Sequence, residues 1–83
     1  MSDSPYVPIN CSYYDELEAL ATLKQAVEIV FRGPDGNSTQ TTHGVILTFY
    51  IEAGVEYLRM KDGLAIRLDH LVQVDGKPAR LVC

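Results

Sequence analysis

Two cysteines and two histidines are the side chains of this sequence best suited to nucleophilic or metal chemistry. They are Cys11, His43, His70 and Cys83, and no C-x-x-C or H-x-x-x-H pair of the kind that holds zinc joins them. Neither histidine stands beside a serine or cysteine that it could activate, and no glycine-rich phosphate loop precedes a helix. We therefore expect a protein that is not an enzyme and binds no cofactor or metal. A metal protein or an enzyme using this Cys/His set remains the alternative.

The stretch PINCSYYDELEAL, residues 8–20, predicts an amphipathic helix over about residues 12–22. We expect Ser12 to cap its N-terminus, because Asp15 follows three residues later in an arrangement close to a capping box. At 100° per residue the helix has an apolar and a polar side. The apolar side carries Tyr13, Leu17 and Leu20 with Ala21 beside them, and the polar side carries Asp15, Glu18, Ala19 and Thr22.

Three carboxylates on this helix have no lysine four residues further on. Asp15 and Glu18 are neighbours on one face because they are three residues apart, with Glu16 nearby and Tyr14 at the polar–apolar border. Such a charge attracts a basic surface, and tyrosine is enriched among interface residues. These four residues are our candidate partner-binding site. The alternative interpretation is structural, because acidic residues in the first turns also stabilise the helix dipole.

Beyond about residue 24 the sequence alternates with period two, which predicts five short strands. The predicted strands are QAVEIVFRG, TQTTHGVILTFYIEAG, VEYLRM, LAIRL and VQVDG, separated by turns at GPDGN, KDG and DHL. Gly44 inside the second run indicates a bulge or sharp bend. Strands this short and closely spaced favour a meander that closes into a barrel.

The predicted fold is therefore mainly β (α+β): an N-terminal helix followed by a five-stranded, strongly bent Sm-like (SH3-like) small barrel. The 83 residues form one domain, with an extended arm over 1–9, the helix over about 12–22 and the barrel over about 24–76. An OB-fold is the competing five-stranded arrangement. It usually places its helix between the third and fourth strands, whereas the helix here comes first.

The charge balance argues against sequence-independent nucleic-acid binding. Eleven acidic residues against seven basic ones give a net charge of −4, and the basic residues are scattered rather than clustered. The opening MSDSPYVPIN has no apolar stretch like that of a signal peptide, and no segment approaches the roughly 20 apolar residues of a membrane span. We therefore expect a cytoplasmic monomer whose two thiols are reduced, with Cys11 buried and both histidines at the surface.

The opening stretch also resembles the Rho-binding antiterminator family (Rof, also called YaeO). The resemblance rests on Y-x-P-I-N-C-x-x-Y-D-x-L-E, which is Tyr6, Pro8, Ile9, Asn10, Cys11, Tyr14, Asp15, Leu17 and Glu18 in this sequence. VEYL at Val55 to Leu58 and RLDHL at Arg67 to Leu71 follow in the same order, so the resemblance covers about residues 6–75. Ala21 stands where relatives are expected to carry a second helix cysteine. The 33–44 connection and the 77–83 tail match no pattern.

The resemblance implies an Sm-like barrel preceded by a helix, in a bacterial inhibitor of the transcription termination factor Rho. Such a protein binds the N-terminal RNA-binding domain of Rho and obstructs its primary RNA site, and it is not an enzyme. Within the motif, Tyr14, Asp15 and Glu18 match, whereas Glu16 is included because it is acidic and adjacent. A secondary contact is expected at the EAG loop, which is Glu52, Ala53 and Gly54. The alternative is an Sm-like RNA-binding protein that acts as a small regulatory module.

Overall fold

One α-helix, one short 3₁₀ helix and six strands make up the part of the chain that the computed structural model describes, residues 9–33 and 36–79. The elements are α1 (Cys11–Thr22), β1 (Ala26–Arg32), β2 (Thr39–Glu52), β3 (Val55–Met60), β4 (Ala65–Arg67), a 3₁₀ helix (Leu68–His70), β5 (Leu71–Val74) and β6 (Lys77–Pro78). The strands form one antiparallel sheet in the order β4-β3-β2-β1-β5-β6. The mainly β prediction is confirmed. Most of the predicted N-terminal arm and the end of the tail lie outside the described residues.

The strand count corrects the predicted five, because a sixth strand follows the Asp75–Gly76 turn. Both turn residues have positive φ, 51° and 82°, as a two-residue hairpin loop of type I′ requires. Lys77 and Pro78 then pair with the end of β5. Proline is tolerated here because β6 is an edge strand, where its lack of an N–H leaves no ladder position empty.

Strand β2 changes its partner halfway along its 14 residues. Residues 39–45 pair with β1, and residues 46–52 pair with β3. The register of the second pairing shifts between Ile46 and Thr48, whereas Gly44 pairs in regular register with Val27, so the bulge lies near Leu47 rather than at Gly44. One long strand therefore connects the two halves of the sheet.

The core forms where alternating strand residues meet the apolar side of α1. The predicted faces of β1 and β3 are confirmed, because Val27, Ile29, Phe31, Leu58 and Met60 are all buried. From the helix, Tyr13 and Leu17 are buried, and the core is completed by Ile9, Ile46, Ile66, Leu68, Leu71 and Val74. Burying one such side chain contributes roughly 1.5–3 kcal/mol, so this cluster fixes α1 against the sheet.

The helix begins one residue earlier than predicted and uses a different cap. The Asn10 Oδ1 accepts hydrogen bonds from the backbone N–H groups of Ser12 (2.9 Å) and Tyr13 (3.2 Å), so Asn10 is the N-cap and Ser12 lies within the first turn. Asparagine and serine cap helices about equally well. Which of the two residues caps the helix therefore depends on where the chain enters the helix rather than on residue type.

We expect Asn10→Ala to lower the free energy of unfolding by about 1 kcal/mol, because two backbone N–H groups lose their acceptor. Urea denaturation measures this change. Ser12→Ala is the matched control and should stay within about 0.5 kcal/mol of the parent protein. A larger loss for Ser12→Ala than for Asn10→Ala would restore Ser12 as the cap.

Candidate functional site

The four helix residues predicted to bind a partner lie on two flanks of α1. Asp15 and Glu18 are exposed on the polar side, one turn apart, and neither forms a hydrogen bond or ion pair with residues 9–33 or 36–79. Glu16 projects from the other flank. Its carboxylate lies 3.2 Å from the Nζ of Lys77 on β6. Within the part of the chain that the structure describes, Asp15 and Glu18 are therefore the helix carboxylates without an ion pair.

Tyr14 lies beside this charge, where α1 meets β2. Its ring packs against that of Phe49, with 5.2 Å between the centroids and an interplanar angle of 44°. Partial burial raises the pKa of Tyr14, and the carboxylates of Glu18 and Glu56 raise it further. The packing against Phe49 holds the ring of Tyr14 in place, as expected of an aromatic contact residue with little conformational freedom to lose on binding.

The predicted secondary contact lies at the turn between β2 and β3. Glu52 is the last residue of β2 rather than part of a loop, and only Ala53 and Gly54 form the turn, with φ of 52° and 79°. All three residues are exposed. The structure gives no hydrogen bond or ion pair between this turn and the described residues of α1, so the two predicted contacts are not joined directly.

A groove between α1 and β2 was not predicted from the sequence. It has a volume of about 220 Å³ and is lined by Glu18, Ala21, Thr22, Leu47, Thr48 and Phe49. Leu47 is 58% exposed, and Ile51, two residues beyond Phe49, is 69% exposed. The available signal was the long apolar alternation of β2, which supplies more large apolar residues than the core takes up.

The cysteine and histidine residues do not form one cluster in the described structure. Cys11 is exposed and disulfide-bonded, which corrects the prediction of a buried, reduced thiol, and Cys83 lies outside the described residues. His43 places its Nε2 3.2 Å from the Oε2 of Glu28, and partial burial lowers the pKa of His70. Within residues 9–33 and 36–79, no three His, Cys, Asp or Glu side chains are placed to hold a metal ion.

Two tyrosines and an arginine form a second aromatic group on β2 and β3. The rings of Tyr50 and Tyr57 stack with 5.1 Å between their centroids, and the guanidinium carbon of Arg59 lies 5.1 Å from the centroid of Tyr50. Aromatic and arginine side chains on a sheet are typical of single-stranded nucleic-acid sites. Here the ring of Tyr50 contacts both the ring of Tyr57 and the guanidinium of Arg59.

Tyr13, the buried neighbour of Tyr14, gives the helix a pH-dependent contact with the sheet. Its hydroxyl donates a hydrogen bond to the backbone oxygen of Lys77 at 2.9 Å, and burial, with a smaller effect of Glu16, raises its pKa to about 12. Because the folded-state pKa lies above the ordinary value near 10, this contribution to stability is complete below pH 10.

We expect the Tyr13 contribution to be lost as the pH rises from about 10 to about 12, since the unfolded chain releases the proton first. Urea denaturation at a series of alkaline pH values measures the loss. Tyr13→Phe is the comparison, and its stability should fall less steeply over that range. Parallel profiles for the two proteins would contradict the assignment.

Comparisons of the chain with protein-family models, with curated proteins and with solved structures give no match. No helix within residues 9–33 and 36–79 is both long enough and apolar enough to cross a membrane. The functional assignment therefore depends on the geometry of α1 and β2 together with the sequence resemblance.

Proposed function

We propose that this protein inhibits Rho-dependent transcription termination by binding the N-terminal RNA-binding domain of Rho. The observation that carries the proposal is that Asp15 and Glu18 on α1 are exposed and have no ion pair with the described residues, 9–33 and 36–79. The primary site of Rho must attract polyanionic RNA, so it is expected to be basic. Carboxylates can occupy positions that phosphates would otherwise take, and the net charge of −4 adds attraction at longer range.

Occlusion of the RNA site requires no covalent step and no cofactor. Tyr14, fixed against Phe49, supplies an aromatic contact next to the two carboxylates. Glu16 keeps a weaker role, because an exposed ion pair such as the one with Lys77 is worth at most about 1 kcal/mol and is readily exchanged. Glu52, Ala53 and Gly54 remain the proposed secondary contact.

We further propose that the sheet is a small Sm-like barrel. The support is the meander of β1 to β4 after one helix, the return of β5 to pair with β1, and the change of partner along β2. A strand that changes partner at a bulge is a common way for one sheet to turn over a shared core. Strand β6 would then be an addition at the edge of this barrel.

We also propose that the protein acts as a monomer in the bacterial cytoplasm, the compartment of the proposed partner. The disulfide at Cys11 argues in the other direction, because disulfides are rare in reducing compartments. Alkylation of thiols in intact cells, followed by mass spectrometry, decides the point. A modified Cys11 supports the cytoplasmic location, and a protected Cys11 opposes it.

A pull-down with the isolated N-terminal domain of Rho tests the proposed function. The domain should be retained by the immobilised protein and released by oligocytidine, since both ligands are proposed to occupy the same site. Retention should weaken at higher salt, because exposed charges are screened within roughly 8 Å at physiological ionic strength. Retention that oligocytidine does not reduce would refute occlusion of the RNA site.

The second candidate is an Sm-like RNA-binding protein, favoured by the Tyr50, Tyr57 and Arg59 group on the sheet. It predicts that labelled oligonucleotide is retained directly by the purified protein in a gel-shift assay. The net charge of −4 opposes it, because phosphate neutralisation supplies most non-specific affinity for nucleic acid.

A further inference from the structure

Cys11, the first residue of α1, is exposed and disulfide-bonded. The sequence contains one other cysteine, Cys83, so a disulfide formed within one chain joins these two sulfurs, although Cys83 lies outside the described residues. Such a bond closes a loop that includes almost the whole sequence. Because the cost of closing a loop in the unfolded chain rises with loop length, a cross-link of this kind strongly restricts the unfolded state.

The described residues already bring the end of the sheet to the start of the helix. Lys77 of β6 accepts a hydrogen bond on its backbone oxygen from the hydroxyl of Tyr13, two residues beyond Cys11, at 2.9 Å. Ala79 follows β6, packs against the core and stands four residues before Cys83. Four residues span at most roughly 14 Å, which is enough to connect two elements that are already in contact.

Helix α1 is also held to the sheet by contacts that do not involve the disulfide. Asn10 caps the helix, Tyr13 and Leu17 are buried in the core, and the carboxylate of Glu16 lies 3.2 Å from the Nζ of Lys77. These contacts remain when the bond is broken. We therefore expect reduction to release the C-terminal tail and lower the stability without unfolding the protein.

An exposed disulfide in a cytoplasmic protein indicates exchange rather than a permanent cross-link. Disulfides in reducing compartments are usually transient, catalytic or redox-sensing, and exposed disulfides are more easily reduced than buried structural ones. Small domains that depend on permanent disulfides lack a sufficient core, whereas the described residues of this chain form a continuous core. The inference rests on the cytoplasmic location proposed above, and not on Rho as the partner.

We propose that Cys11 is a thiol–disulfide exchange site for a small thiol such as glutathione, and that exchange switches the chain between a linked and an open form. A glutathione thiolate attacks the Cys11 sulfur, which forms a mixed disulfide and releases the Cys83 thiolate. A second glutathione thiolate attacks the glutathione sulfur of the mixed disulfide and releases the Cys11 thiolate. The protein disulfide is thus reduced to two thiols, while two glutathione thiols are oxidised to glutathione disulfide.

The protons and electrons of this exchange balance without any further reactant. The two protons lost by the glutathione thiols are taken up by the two cysteine thiolates, and the two electrons pass from glutathione to the protein disulfide. In the reverse direction glutathione disulfide is the oxidant. The ratio of the linked to the open form therefore follows the ratio of oxidised to reduced glutathione in the surrounding solution.

Reduction of the linked protein by glutathione, followed by alkylation of thiols and mass spectrometry, tests whether exchange takes place in the folded state. We expect both cysteines to become alkylated at a rate proportional to the glutathione concentration. Urea below the unfolding transition should leave this rate unchanged, because Cys11 is exposed before any unfolding. A rate that rises steeply with urea would mean that the bond is reached only through unfolding, and it would overturn the proposal.

The variant Cys83→Ser tests Cys11 as the site of the mixed disulfide. Treated with glutathione disulfide, this variant should carry one glutathione on Cys11, since no second cysteine of the chain is present to displace it. A variant that stays unmodified would overturn the assignment of Cys11. Electrophoresis of the oxidised parent protein without reductant covers the other possible bond. A covalent dimer would show that Cys11 joins a second copy, and the proposed switch would be wrong.

Thermal melting of the parent protein measures the difference between the linked and the open form. We expect reduction to lower the midpoint by about 10 °C or more, with circular dichroism at 25 °C showing both forms folded. Cys83→Ser is the matched control, and its midpoint should be the same with and without reductant. Equal midpoints for the two parent forms would overturn the switch. None of these measurements involves Rho, so failure of the exchange and failure of the inhibitor role are distinguishable.

Discussion

Replacing both Asp15 and Glu18 with lysine is expected to abolish binding to Rho while the protein stays folded. Both side chains are exposed and make no hydrogen bond or ion pair with the described residues, so the fold loses no contact with them. At the interface, each reversal replaces an attraction to a basic group by a repulsion. Close charge pairs across protein interfaces have coupling energies of about 1.5–7 kcal/mol, so two reversals should weaken binding by at least about a hundredfold.

A control variant has to separate the loss of the two carboxylates at Asp15 and Glu18 from the effect of the change in net charge. Glu28→Lys with Asp62→Lys alters the net charge by the same amount, and neither residue lies on α1 or lines the groove. This control should reduce the association rate modestly through weaker long-range attraction and leave most of the affinity. Titration calorimetry with Rho compares the two proteins. If the Asp15 and Glu18 reversal binds no worse than the control, the site assignment is wrong.

The sequence predicts the fold correctly in those elements whose buried face follows from a single helical or strand periodicity. The apolar side of α1 and the alternating faces of β1 and β3 follow from side-chain direction alone, and all three agree with the observed burial. The helix start was wrong because Asn10 and Ser12 are both good caps. Strand β6 was missed because its two residues are too short to show a period, although Asp75–Gly76 is itself a hairpin signal.

Only the part of the candidate site that lies on helix α1 could be predicted from the sequence. Asp15 and Glu18 are exposed as expected, because their positions follow from the helical period. The pairing of Glu16 with Lys77 joins residues 61 apart in sequence, and the groove exists only because α1 docks against β2. Both features depend on tertiary packing, which no local pattern records. The sequence shows the apolar alternation of β2, but not which of its residues α1 covers.

Removing the Arg67 side chain is expected to cause a large loss of stability, because it leaves a buried carboxylate without its charge partner. Asp69 is 7% exposed, and its two oxygens accept hydrogen bonds from Arg67 Nε and Nη2 at 2.9 and 2.8 Å. Breaking a buried pair by removing one member costs about 3–5 kcal/mol. Because Arg67 is itself partly exposed, we expect a value near the lower end, about 3 kcal/mol, for Arg67→Ala in urea denaturation.

This loss is large for so small a domain, whose total stability is of the order of 5–15 kcal/mol. The pair also fixes the 3₁₀ helix between β4 and β5, where Arg32 of β1 donates a hydrogen bond to the backbone oxygen of Asp69 at 2.8 Å. Asp69→Asn should cost less, about 1–2 kcal/mol, because the remaining guanidinium can reach water. Arg59→Ala, which removes an exposed arginine stacked on Tyr50, is the matched control and should cost about 1 kcal/mol or less. If Arg67→Ala costs no more stability than Arg59→Ala, the Arg67–Asp69 pair does not stabilise the fold. The contacts of this pair would then give the RLDHL segment no structural role.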